Sequence, residues 1–167
     1  MRHVNFHNAR LTYRNQVKAE LEELGTRAQG AIRLAKVAQE IARLNVNDTN
    51  QQCLAVIALA QSDETLVIPV LFDVLRNQRH PQEIIAEALY GLGRFGSNIP
   101  QTLDHFQLIL ASSQHIQKTV RFAAVEAMGK IAPKNASFQT RLVEIINNDV
   151  DNDVKIAAKK VLGNGQA

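Results

Sequence analysis

Among its 167 residues the chain has one cysteine, Cys53, and no tryptophan. A single thiol excludes an intramolecular disulfide, so packing alone must hold the fold, and a reducing cytosol is the expected compartment. No apolar run approaches the roughly 20 residues that cross a bilayer. The longest, around Ile57 and over residues 67–75, are broken by Gln61, Asp63, Glu64 and Asp73. The opening Met-Arg-His-Val-Asn-Phe-His-Asn has no apolar core, and no secretory signal is expected. Asn47-Asp48-Thr49 and Asn135-Ala136-Ser137 are therefore read as chance matches to the glycosylation triplet. A field of one sign is also missing. Residues 1–45 carry eight Lys/Arg and four Asp/Glu, residues 46–113 three and seven, and residues 114–167 eight and five. Basic, acidic and basic segments in turn are not the layout of a dedicated nucleic-acid protein.

What the chain does have is a phrase of ten residues that recurs. Ile84-Ile85-Ala86-Glu87-Ala88-Leu89-Tyr90-Gly91-Leu92-Gly93 returns as Val120-Arg121-Phe122-Ala123-Ala124-Val125-Glu126-Ala127-Met128-Gly129. It returns again as Val154-Lys155-Ile156-Ala157-Ala158-Lys159-Lys160-Val161-Leu162-Gly163, with a fainter copy over residues 52–60. Equivalent alanines are Ala55, Ala88, Ala124 and Ala158, so the steps are 33, 36 and 34 residues. Self-similarity at that period marks a helical solenoid. Apolar or small residues at offsets 0, 4, 7 and 8 of the phrase lie on one helix face. The alanine at offset 4 lets stacked helices approach to about 8–10 Å. Gly93, Gly129 and Gly163 follow the last apolar residue and are expected to close their helices in the left-handed conformation.

Partner helices are expected between the phrases. Residues 63–77 hold Leu66, Val67, Val70, Leu71, Val74 and Leu75, with a kink at Pro69. Residues 101–112 follow Pro100, and residues 137–147 hold Phe138, Leu142 and Ile145. Upstream, residues 9–24 form one helical pattern closed by Gly25, and residues 27–44 a second. The expected architecture is all-α: a solenoid of about four helix pairs plus an N-terminal capping helix, in a single domain over residues 1–167. The cap spans 9–25 and the repeats 27–61, 63–95, 100–131 and 136–163. A polar first helix and the lysines of the last, Lys155, Lys159 and Lys160, give both ends a wet face, as a complete small solenoid needs.

The cadence Val154-Lys155-Ala158-Leu162-Gly163 after Asp151 and Asp153, and Val120-Arg121-Ala124-Ala127-Met128-Gly129, resembles the second helix of a HEAT-type repeat. The subtype it is most similar to is the short one named for phycobilisome lyase subunits. The likeness covers roughly residues 28–163 and implies a HEAT/armadillo-like α-solenoid. The Arg-like position is Ile85 in one copy and Gln52 in another, so any ladder of Asp–Arg bonds along the stack is expected to be incomplete. The resemblance puts the phrase helices on the concave face. Arg121 and Lys155 then hold equivalent positions, with Arg94 and Lys130 just past the glycines. These four are the candidate partner-binding residues.

Catalytic chemistry is hard to find. His3 and His7 have the i, i+4 spacing of two metal ligands, but no Cys accompanies them and no acid lies closer than Glu20. Cys53 reads as small core filler. Gly91-Leu92-Gly93-Arg94-Phe95-Gly96 matches Gly-x-Gly-x-x-Gly but follows a helix instead of a strand, so it is no phosphate loop. Glu87 and Glu126 are read as solvated or salt-bridged, and Tyr90 and Phe122 as core. Catalytic, cofactor and metal residues are expected to be none. The reading is a non-catalytic protein–protein interaction module, a cytoplasmic monomer that binds a protein partner and no membrane. Two alternatives stand beside it, a phycobilin lyase-type enzyme subunit and a nucleic-acid-binding HEAT-like protein.

Overall fold

The computed structural model describes residues 6–77 and 79–165, with the side chains of residues 15–77 and 79–164. Among the described residues there are eight α-helices and no strand. They divide into two compact units between Ala38 and Gln39.

The first unit is the larger part of α1 (Phe6–Leu44), a helix of 39 residues. The expected break at Gly25 is absent, which corrects the separate capping helix. A glycine inside a helix costs only about 1 kcal/mol against alanine. The flanking turns offset it: Lys18–Glu22 and Arg27–Glu23 are i, i+4 ion pairs, and Thr26 Oγ1 donates to Glu22 O.

The second unit holds the end of α1 and seven further helices. They are α2 (Thr49–Ala60), α3 (Val67–Arg76), α4 (Gln82–Phe95), α5 (Leu103–Ser112), α6 (Lys118–Ile131), α7 (Ala136–Asn148) and α8 (Asn152–Gly165). The phrase helices stack as one layer, α2 against α4, α4 against α6 and α6 against α8. The partner helices lie behind them, α3 on α4 and α5, α5 on α6, and α7 on α8. The offset-4 alanines Ala55, Ala88, Ala124 and Ala158 are all 0% exposed. Between the layers Leu71, Phe72, Ile84, Leu89, Ile109, Met128, Phe138 and Leu142 are sealed from water. Each such side chain stabilises the fold by about 1.5–3 kcal/mol.

Helix starts follow local chemistry. Asp48 caps α2, its carboxylate accepting from Asn50 N at 2.8 Å and Gln51 N at 3.3 Å. Thr102 and Asn135 cap α5 and α7 through His105 N and Phe138 N. α3 starts later than its periodicity suggests, at Val67, after a turn in which Ser62 Oγ accepts from Glu64 N. Pro69 therefore stands in the first turn, where the missing N–H would have had no helical partner, and the expected kink has no cause.

The phrase glycines correct another expectation. Gly91 and Gly93 lie inside α4, Gly129 inside α6 and Gly163 inside α8. None has positive φ; among the described residues Gly96, at φ 52°, alone does and ends α4. Gly91 serves close approach instead. A Cβ there would stand 2.7 Å from Ala60 Cβ and 2.8 Å from Ala60 Cα. At Gly129 a Cβ would meet Val161 Cγ1 at 2.8 Å.

Candidate functional site

A cleft of about 520 Å³ crosses α4, α6 and α8 on the face of the phrase helices turned away from the partner layer. Its floor is apolar: Tyr90 from α4, Phe122 from α6, and Val154, Ile156 and Ala157 from α8. Tyr90 is 36% exposed, Ile156 63% exposed and Phe122 half-buried. This corrects the reading of Tyr90 and Phe122 as core. Both sit at offsets 6 and 2 of the phrase, outside the apolar stripe at 0, 4, 7 and 8.

Charges rim the floor. At one end Lys118 Nζ bridges Asp151 Oδ2 and Asp153 Oδ2, each at 3.4 Å. The hydrogen bonds to Asp153 and Asp151, and their charges, hold the Lys118 ammonium above its ordinary value. Glu126 and Lys160 stand at offset 6, equivalent to Tyr90. Glu126 reaches Lys130 Nζ at 3.8 Å, one turn along α6. Burial pushes the Tyr90 phenol up, and the carboxylates of Glu87 and Glu126 push it the same way. The site thus joins two aromatic rings, the three carboxylates of Glu126, Asp151 and Asp153, and two lysines within one concavity. In the sequence Glu126 reads as solvated or salt-bridged and Lys160 as part of a wet outer face, and nothing there marks either as lining a cleft with Lys118. The signal was in the repeat: positions off the apolar stripe in three successive copies share one surface.

The four basic candidates do not form one stripe. Arg121 and Lys155 stand in the first turns of α6 and α8, whereas Arg94 and Lys130 stand in the last turns of α4 and α6. Along α6, Arg121 and Lys130 are about 13 Å apart at the helical rise of 1.5 Å per residue. Arg94 donates to Ala60 O at 2.9 Å and to Asp63 Oδ1 at 3.3 Å. Lys130 lays its stem over Gly93, with Cδ 3.4 Å from where a Cβ would be. Lys155 is half-buried. Arg121 is 9% exposed and fully engaged inside the protein: it pairs with Asp149 and donates to His115 O at 3.0 Å and Ile116 O at 2.9 Å.

The histidines are dispersed. His105 stacks on Phe72, ring centroids 3.9 Å apart, with Nδ1 2.8 Å from Pro100 O. His115 Nδ1 accepts from Gln117 N, and His80 Nε2 faces Asn77 Nδ2. His3 and the side chain of His7 lie outside the described residues. Among the described residues no group of three His, Cys, Asp or Glu is arranged to hold a metal ion. No helix among them is long and apolar enough to cross a membrane.

No protein-family model matches the sequence, and no curated protein matches it. Among solved structures, the chain is similar to the complex of CpcE and CpcF of phycocyanin lyase from Nostoc sp. PCC7120. The match covers 81% of this chain and 89% of that one, with a TM-score of 0.63 and 18% identity. The chain therefore has the HEAT-like helical-repeat fold that its phrase resembles. The same finding corrects the functional expectation. A solved structure that shares the fold is that of a phycocyanin lyase, so the fold does not support the expected non-catalytic scaffold.

Proposed function

We propose that this chain is a phycobilin lyase-type enzyme subunit, acting in the cytosol with a protein partner, that holds an open-chain tetrapyrrole in the cleft across α4, α6 and α8. The observation that carries the reading is the composition of that cleft on this fold. An open-chain tetrapyrrole is a long conjugated plane with pyrrole N–H donors along its middle and two propionates at its edge. The rings of Tyr90 and Phe122 offer it apolar faces. Glu126, a carboxylate, is suited to accept pyrrole N–H bonds, and Lys160 to pair with a propionate. A volume of about 520 Å³ lies within the range of small-molecule sites. Tethering the pigment beside an acceptor polypeptide is the task such a subunit performs, by holding two reactants in register. The protein partner is supported by the solved relative of this fold, which is a complex of two chains. Arg94, Lys130 and Lys155 retain accessible surface for it.

The test is colour. Purified protein, alone and mixed with a second repeat subunit, is titrated with phycocyanobilin and followed by absorbance and fluorescence. A stoichiometric red shift that weakens at least tenfold in affinity in Phe122→Ala and Glu126→Gln is expected. A spectrum unchanged at stoichiometric pigment, or one that the two substitutions leave as it was, rules the reading out.

A further inference from the structure

The cleft across α4, α6 and α8 carries more acid than base around its aromatic floor. Its lining holds the ammonium groups of Lys118 and Lys160 against the carboxylates of Glu126, Asp151 and Asp153, so one negative charge is in excess. Lys118 is already engaged. Its Nζ lies 3.4 Å from both Asp151 Oδ2 and Asp153 Oδ2, and one cation shared by two anions leaves that corner negative. Glu126 stands at offset 6 of the phrase on the middle helix, between Tyr90 of α4 and Lys160 of α8. Stacked helices are about 8–10 Å apart, so the three form a row of ring, carboxylate and ammonium.

The helix of Glu126 does little to neutralise it. Lys130 Nζ is 3.8 Å away, at the limit of an ion pair, and its side chain is 51% exposed, so water screens the contact. The carboxylate itself is only 27% exposed. Its field reaches the floor: the Tyr90 phenol is raised by burial first, then by the charges of Glu87 and Glu126. The groups around Glu126 are Tyr90 and Glu87 from α4, Lys118 and Lys130 from its own helix, and Asp151, Asp153 and Lys160 from the α8 side. Counted with Glu126, the carboxylates among them still outnumber the ammonium groups by one.

We infer that this cleft takes its ligand as a planar cation, with Glu126 as the counter-charge. The inference rests on the pigment reading for the ligand's identity and adds the protonation state in which the pigment is held. A neutral open-chain tetrapyrrole has three N–H groups and one imine-type nitrogen with a lone pair. An ionised carboxylate only accepts hydrogen bonds, so it repels that lone pair. Of the cleft's donors, Lys118 is held by the two aspartates, and Thr119 Oγ1 donates to Gln82 Oε1 at 3.4 Å. A proton taken from solvent makes the imine nitrogen a fourth N–H donor and spreads one positive charge over the conjugated plane. The faces of Tyr90 and Phe122 attract such a cation, while Lys160 pairs with a propionate.

Absorbance of the phycocyanobilin complex against pH, at saturating pigment and beside free pigment, tests it. The protonation midpoint of bound pigment is expected at least about one pH unit above that of free pigment, a tenfold preference for the cation. In Glu126→Gln, at unchanged far-ultraviolet helicity, it is expected to fall back by a similar amount. A midpoint that binding does not raise, or that Glu126→Gln leaves in place, overturns the inference while the pigment reading stands. If no complex forms at any pH, the pigment reading falls and two dyes decide the charge preference alone. Proflavine, a planar cation, is expected to bind at least tenfold tighter than the anion anilinonaphthalene sulfonate, with that preference lost in Glu126→Gln. Equal affinity for the two dyes, or tighter binding of the sulfonate, overturns the inference.

Discussion

Arg121 meets Asp149 edge to edge, Nε to Oδ2 at 2.8 Å and Nη2 to Oδ1 at 2.9 Å. The pair ties the first turn of α6 to the turn that leads into α8. The two side chains are only 11% and 5% exposed. Nη1 donates to His115 O and Ile116 O, so one residue closes two turns of successive repeats. Neighbouring latches span the same separation of 28 residues, one with an aspartate and one with a serine. Arg76 Nη2 reaches Asp104 Oδ2 at 2.6 Å, and Arg141 donates to Ser113 Oγ and Ser113 O.

Breaking one side of the Arg121–Asp149 pair leaves a buried charge without its partner. Arg121→Ala is expected to cost about 3–5 kcal/mol in chemical denaturation, because removing one member of a buried pair strands the other. Arg76→Ala, at an exposed and solvent-screened ion pair, is expected to cost far less. Equal losses in the two variants would contradict the burial described here.

The same pair makes an acid-sensitive contribution. Burial alone would push the Asp149 carboxyl up. Hydrogen bonds from Arg121 and the Asp151 N–H, with the charges of Arg121 and Arg141, outweigh it and hold the group below its ordinary value. A carboxyl lowered in the folded state stabilises fully above its unfolded value, about 3.9, and the contribution is lost as pH falls through the folded value. Stability is therefore expected to decline below about pH 4, more shallowly in Asp149→Asn than in the parent. Parallel slopes for the two in urea melts at stepped pH would show that another group titrates.

Two glycines of the phrase should respond in opposite directions. Gly91→Ala puts a Cβ 2.8 Å from a backbone atom, Ala60 Cα, and α2 must move off α4. A loss of about 1–3 kcal/mol is expected, as for other overpacked contacts. Gly163→Ala meets nothing within 4 Å and should gain up to about 1 kcal/mol through helix propensity. Thermal melts of both variants decide it, since a left-handed cap at Gly163 would make that substitution destabilising instead.

Tyr90 reports on the cleft. Its phenol is raised by burial first and then by Glu87 and Glu126. In a Tyr13→Phe background, Glu126→Gln is expected to bring the Tyr90 titration down towards the ordinary 10.0. Absorbance of the phenolate against pH measures it, and an unmoved midpoint would place Glu126 outside the electrostatic reach of the ring.

Much of the fold was legible because helix faces are written in local spacing. Residues 101–112 read as a helix and become Leu103–Ser112; residues 137–147 read as a helix and become Ala136–Asn148. Where reading failed, a local rule met a competing one. Gly25 and the phrase glycines looked like stops, but a helix with ion pairs on both sides tolerates glycine, and a helix stack requires it where Ala60 comes close. Among the site residues, Tyr90 and Phe122 were singled out but assigned inward, because an aromatic ring next to an apolar stripe reads as core.

By itself the sequence determined the helical class, the step of the repeat and the alanines that let helices stack. Each of these depends on residues within a few turns of one another. Only the tertiary structure decided which face stays open as a cleft, that Arg121 turns inward to Asp149, and that Gly91 exists for Ala60. The partners in those relationships lie 28 to 31 residues apart in the chain. Their meeting depends on how one repeat is set against the next, a geometry that no local pattern encodes.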